Sequence, residues 1–180
     1  MKAIGLIILL IGIISYFLNQ SEIDGRIIEI KKEVLDFIFE VMSKNEEHLK
    51  NNSTVEDSKR ALEYLNRVRA EHGYSPLKFD LRAYNLAMAR VRDMYEYHYF
   101  DHVNPYTKLS PADLKFEYGF STSEHICENI FLFVGGYFNG LEESAIDSWM
   151  VSKGHKRNLL QSKAGAVACF EYYCVFIGLK

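Results

Sequence analysis

Ala166–Leu179 reads AVACFEYYCVFIGL. It is rich in Val, Phe, Tyr and Ile, and it reads as two strands joined by a turn near Glu171-Tyr172. With those two residues as the loop, Phe170 pairs with Tyr173 and Cys169 faces Cys174 in a non-hydrogen-bonded pair, where side chains lie closest. A disulfide between Cys169 and Cys174 is then sterically allowed, and two half-buried free thiols are the alternative. Cys127 reads as a small core residue.

Working back from this hairpin, the chain is mostly helical. Ser53 with Glu56 three residues on forms a capping box for a helix whose apolar face is Ala61, Leu62, Leu65 and Val68, and Gly73 stops it. Asp80 caps a second helix with Ala83, Leu86, Ala87 and Val91 on one face, running to about Tyr97. Ser110-Pro111 opens a third, short helix. Ile130–Val134 is a short apolar run ending at Gly135-Gly136 and reads as a strand; Glu142–Met150 is a fourth helix. Helices come first and strands late, so the class is α+β rather than an alternating βαβ pattern.

The N-terminus is of another kind. Ala3–Leu18 reads AIGLIILLIGIISYFL and carries no charge. As a helix at about 1.5 Å per residue it reaches about 24 Å, a little short of a hydrocarbon core of about 30 Å. Snorkelling by Lys2 and interfacial Asn19 and Gln20 make up the difference. Residues 1–20 are therefore expected to be a transmembrane signal anchor with the C-terminal side outside the cytoplasm. A cleaved signal peptide is the rival, although Tyr16–Ser21 offers no small-residue cleavage site. Arg26–Met42 follows helical spacing with a wide apolar arc, and Ser43–Asn52 is polar. Residues 21–52 thus read as an amphipathic stalk helix and linker, able to pack on its own domain or to make oligomers, and residues 53–180 as the soluble domain.

The 180 residues are 48% hydrophobic and 25% charged with a net charge of −3, which supports a packed core. No basic stripe with interleaved aromatics is present, so nucleic acid is not an expected partner. Three cysteines are too few for a disulfide scaffold and lack zinc-ligand spacing.

Three stretches carry residues fit for chemistry: Tyr99-Phe100-Asp101-His102, Cys127-Glu128-Asn129-Ile130, and Ser148–Asn158, which reads SWMVSKGHKRN. Their spacing alone matches no local ligand motif. Their order says more. With Leu65-Asn66-Arg67-Val68-Arg69, Gly73 and Pro76-Leu77, they resemble the CAP superfamily, which groups cysteine-rich secretory, antigen 5 and pathogenesis-related 1 proteins. The resemblance runs from about Ser53 to Lys180 and is nearest to the short bacterial and archaeal members. Cys127 departs from it, standing where the family's GENI-like stretch has Gly.

The resemblance implies a three-layer α-β-α sandwich with a central cleft. His102, Glu128 and His155 match the family's cleft residues, and members with that cluster are described as binding zinc or another divalent cation. The fourth cleft position is a carboxylate in many members and is Ser152 here. Two imidazoles and a carboxylate are a competent shell for Zn²⁺, and a Glu between two His can equally fix their tautomers without metal. His98 and His102, four apart, are a rival ligand pair. Family likeness implies a cleft, not a reaction. Three functions follow as expectations: an extracytoplasmic binding module for a lipid, peptide or envelope ligand; a metal-dependent hydrolase of envelope material; and an oligomerising structural protein.

Overall fold

A computed structural model of the chain describes residues 52–133 and 140–180, together with Glu33, Val34 and Asp36. The chain divides into two units, Met1–Asn45 and Glu46–Lys180. In the first unit the three described residues are helical, and the expected anchor of residues 1–20 lies outside the described residues, as do Val134 and Gly135-Gly136. Among the described residues no helix is long and apolar enough to cross a membrane.

The second unit is built from α1 (Val55–Glu71), β1 (Lys78–Phe79), α2 (Leu81–Glu96), α3 (Pro111–Leu114), a 3₁₀ turn (Lys115–Tyr118), β2 (Ile126–Leu132), α4 (Leu141–Val151), α5 (Lys153–Gln161), β3 (Ala164–Phe170) and β4 (Tyr173–Leu179). The four strands form one sheet in the order β1-β3-β4-β2. β3 and β4 form the terminal hairpin with Phe170 opposite Tyr173 and Cys169 opposite Cys174. The two sulfurs are bonded, with the Cα atoms 4.1 Å apart. β2 runs antiparallel to β4, and β1 pairs in parallel with the start of β3.

Successive side chains of a strand point to opposite faces, and both faces of this sheet are covered. On one face Tyr173 meets Phe100, just beyond α2, and Glu128 meets Arg90 of α2. On the other Phe176 meets Trp149 of α4, and Asn129 bonds to α5. The mixed α and β class is as expected, with five helices around a four-stranded sheet among the described residues.

The helix boundaries show which local signals won. α1 starts one residue later than the Ser53/Glu56 reading: Thr54 is the N-cap and Asp57 completes the box. Ser53 is occupied elsewhere. Its N–H donates to the Cys169 carbonyl at 2.9 Å, and its Oγ accepts from the Cys169 N–H at 2.9 Å and donates to Glu142. At the other end Gly73, at φ +76°, lets its own N–H reach Ala70 O and that of Tyr74 reach Arg69 O, which closes the helix in a Schellman motif. Asp80 caps α2 as expected, accepting from the Arg82 and Ala83 N–H groups. β2 begins at Ile126, four residues before the expected Ile130; Glu128 and Asn129 break the apolar pattern that would have marked its first half.

α5 has no counterpart in the sequence reading, which ends its helix at Met150. Only Leu159 and Leu160 are buried in KGHKRNLLQ, too few to display a helical period. Its C-terminal end is closed from α1, 90 residues away: the buried Arg69 donates to the carbonyls of Leu159, Leu160 and Ser162, and also to Ser75. Asn66 pairs with both backbone groups of Leu77, at 2.7 and 3.1 Å. The Leu65–Arg69 and Pro76-Leu77 motifs are thus a latch between α1, the strand entry and α5.

Candidate functional site

The site begins where α2 ends. His98, at φ +49°, turns the backbone away after the Tyr97 cap. Because α2 stops at Glu96, His98 and His102 never share a helix face, and the rival i,i+4 ligand pair lacks its geometry. The loop that follows is knitted by Asn104. Its amide donates to both oxygens of Asp93 at 3.0 Å, while its Oδ1 accepts from the Tyr106 and Thr107 N–H groups at 2.7 and 2.9 Å.

This loop delivers His102 to the middle of β2. His102 Nδ1 lies 2.7 Å from Glu128 Oε2. The Glu128 side chain is only 5% exposed, whereas that of His102 is 52% exposed. The other carboxylate oxygen, Oε1, accepts from Arg90 Nε at 3.0 Å. The hydrogen bond to Glu128 raises the His102 pKa above its ordinary value against the opposing effect of burial. Arg90 is held above the ordinary guanidinium value, burial being outweighed by Glu128 and Tyr99.

α5 delivers the third residue. Asn129, next to Glu128, donates to the His155 carbonyl at 3.1 Å, and Asn158 donates to Asn129 Oδ1 at 2.9 Å. These contacts lay the first turn of α5 along β2. His155 is half-buried, and burial, then the charge of His102, pull its pKa below the ordinary value. Ser152 is the N-cap residue of α5; its carbonyl accepts from the Lys156 N–H at 2.8 Å, and its side chain makes no cap bond.

So the structure joins His102 to Glu128 directly, while the backbone of His155 is tied to the next residue of β2, Asn129. Among the described residues no group of three or more His, Cys, Asp or Glu side chains is arranged to hold a metal ion. Both Glu128 oxygens are engaged, so the carboxylate fits the part of orienting His102 better than that of a direct ligand. With Nδ1–H assigned to Glu128 from this geometry, the lone pair of His102 Nε2 is left available. Two imidazoles, one of them oriented by a carboxylate, suit a zinc-like ion.

Sequence reasoning missed Arg90 and gave no role to Asp93, Asn129 or Asn158. The signal for Arg90 was present: it interrupts the apolar stripe Leu86, Ala87, Val91, Met94, every member of which is buried. A charge at a core position has to be paired inside.

A sequence profile of the CAP, cysteine-rich secretory protein family, matches residues 62–175. Uncharacterized protein YkwD of Bacillus subtilis is 31% identical over 105 residues, covering 57% of this chain and 37% of that protein. Uncharacterized membrane protein YlbC of the same organism is 31% identical over 104 residues, covering 58% and 28%. The chain thus spans about a third of the length of these relatives. Among solved structures, an extracellular SCP-domain protein of Bacillus anthracis superposes with a TM-score of 0.58 at 20% identity, covering 68% of this chain and 40% of that one. An outer surface protein of Borrelia burgdorferi gives 0.58 at 16% identity, covering 73% and 98%. The profile match extends over more than half of the chain, and this protein belongs to the CAP, cysteine-rich secretory protein family.

Proposed function

We propose that this is a membrane-tethered binding module working outside the cytoplasm, whose cleft presents His102 and His155 to a zinc-like divalent cation while Glu128 orients His102. The observation that carries the reading is the 2.7 Å contact from Nδ1 of the half-exposed His102 to the buried Glu128 carboxylate. Metal-ligating histidines almost always use their second nitrogen in this way. The uncharged run Ala3–Leu18 supports the tether. Relatives named as a membrane protein, an extracellular protein and an outer surface protein support the location.

Binding is favoured over hydrolysis. With Ser at position 152 the cleft lacks the second carboxylate that could serve as a general base. The test is metal analysis of the full-length protein after exposure to zinc and exhaustive washing. Wild type retains zinc and the His102→Ala, His155→Ala double variant loses it; equal retention, or none in either, rejects the reading.

A further inference from the structure

Arg90 has no solvent exposure and uses every face of its guanidinium. Nε donates to Glu128 Oε1 at 3.0 Å. One terminal nitrogen donates to Tyr99 Oη at 2.6 Å and to Asp93 at 3.2 Å. The other donates to the carbonyls of Asp101 at 2.9 Å and of His102 at 3.3 Å. One planar group thus grips the acid of the cleft on β2 and the backbone of the histidine that acid serves. Tyr99 in turn donates to Asp93, which also receives Asn104, so the loop carrying His102 is tied to the same centre.

We propose that Arg90 is the positioning residue of the cleft: its rigid fork commits Glu128 to orienting His102 instead of ligating, and this sets the class of cation that the cleft accepts. The positioning stands on the contacts alone; the cation class rests on the binding function proposed above. The physical argument has two parts. The guanidinium fork is planar, so the places of Glu128 and of the His102 backbone are fixed relative to each other. A carboxylate whose charge is offset by a buried guanidinium, and whose two oxygens each already accept a hydrogen bond, is a weakened ligand for a hard cation. Hard ions such as Mg²⁺ and Ca²⁺ need oxygen ligands, whereas imidazole suits zinc, copper and nickel. The cleft is therefore selective for the imidazole-preferring ions, although the acid embedded in it is of the type that hard ions favour.

The test uses full-length protein in mild detergent, labelled with ¹⁵N at histidine and free of metal. It compares wild type, Arg90→Met, Arg90→Lys and Arg69→Met, the last removing a buried arginine that bonds to neither Glu128 nor the His102 loop. At alkaline pH, where the rings are neutral, His102 in wild type shows mainly the Nδ1–H tautomer, with a downfield Nδ1 proton. Arg90→Met and Arg90→Lys both lose that signature, the second because an ammonium cannot reproduce the fork. Arg69→Met keeps it despite lower thermal stability. Native tautomer in Arg90→Lys, or its loss in Arg69→Met, overturns the proposal. Should Arg90→Met fail to fold, Arg90→Lys and Arg69→Met decide the question between them.

Zinc titration then tests the cation class. The affinity of Arg90→Lys falls about 10–100-fold, the usual effect of losing an outer partner of a ligating histidine. The wild-type preference for zinc over Ca²⁺ narrows with it. A variant that binds zinc as wild type does overturns the link to cation class. Absence of zinc binding in wild type, with the tautomer pattern as predicted, overturns the binding function and the cation class and leaves the positioning role established.

Discussion

Replacing Arg69 with Met removes the latch between α1 and α5 while keeping most of the side-chain volume. Arg69 is buried, and no acid is among its hydrogen-bond partners; burial accordingly pulls its pKa down. What it satisfies are the carbonyls of Leu159, Leu160 and Ser162 at the end of α5, and that of Ser75. Ser75 is exposed, so water can replace the arginine there. The other three sit in a buried corner. Leaving a buried acceptor unmade costs about 1–3 kcal/mol, so three give about 3–9 kcal/mol before any return. Part returns, because the guanidinium is no longer desolvated without a counter-charge. The net loss expected is about 3–5 kcal/mol, a large share of the stability of a domain of this size. At about 3 °C per kcal/mol the Tm falls by about 10–15 °C. Thermal and urea unfolding measure the loss, and amide exchange locates it: protection drops first at Leu159–Lys163. A loss under about 1 kcal/mol, or unchanged exchange in α5, refutes the latch.

His102 and His155 also make stability depend on pH. The His102 pKa is raised in the folded state, so the stability it contributes is full below the unfolded value near 6.5 and is lost as pH rises through the folded value. The His155 pKa is lowered, so its effect has the opposite sense: stability falls as pH drops below 6.5 toward the folded value. Unfolding of His102→Gln across this range should lose the first dependence and keep the part of the second that comes from burial of His155; an unchanged profile contradicts the His102–Glu128 pairing. The Cys169–Cys174 bond closes a short loop, so the Cys169→Ser, Cys174→Ser variant should lose about 2 kcal/mol. A native mass that does not rise by two hydrogens on reduction contradicts the bond.

Much of this was legible in the chain because it is written locally. The terminal hairpin follows from apolar strands around Glu171-Tyr172, and its register places the cysteines opposite each other. The Asp80 cap and the Gly73 stop are short-range chemistry and were read correctly. What escaped was set at long range. Ser53 looked like an N-cap, and Thr54 took the place because Ser53 bonds to β3 and to Glu142. α5 is closed by an arginine on α1, which no window over Lys153–Gln161 contains. His102, Glu128 and His155 were picked out by family likeness, and their spacing alone had said nothing. The division of labour among them was hidden, because it depends on Arg90 reaching β2 from a helix 38 residues earlier.

The central claim is that Glu128 serves the site by orienting His102. The most direct measurement is the zinc affinity of Glu128→Gln against wild type, by competition titration of the full-length protein. The account predicts that the variant still binds zinc, about 10–100-fold more weakly. Equal affinity in the two proteins would contradict it.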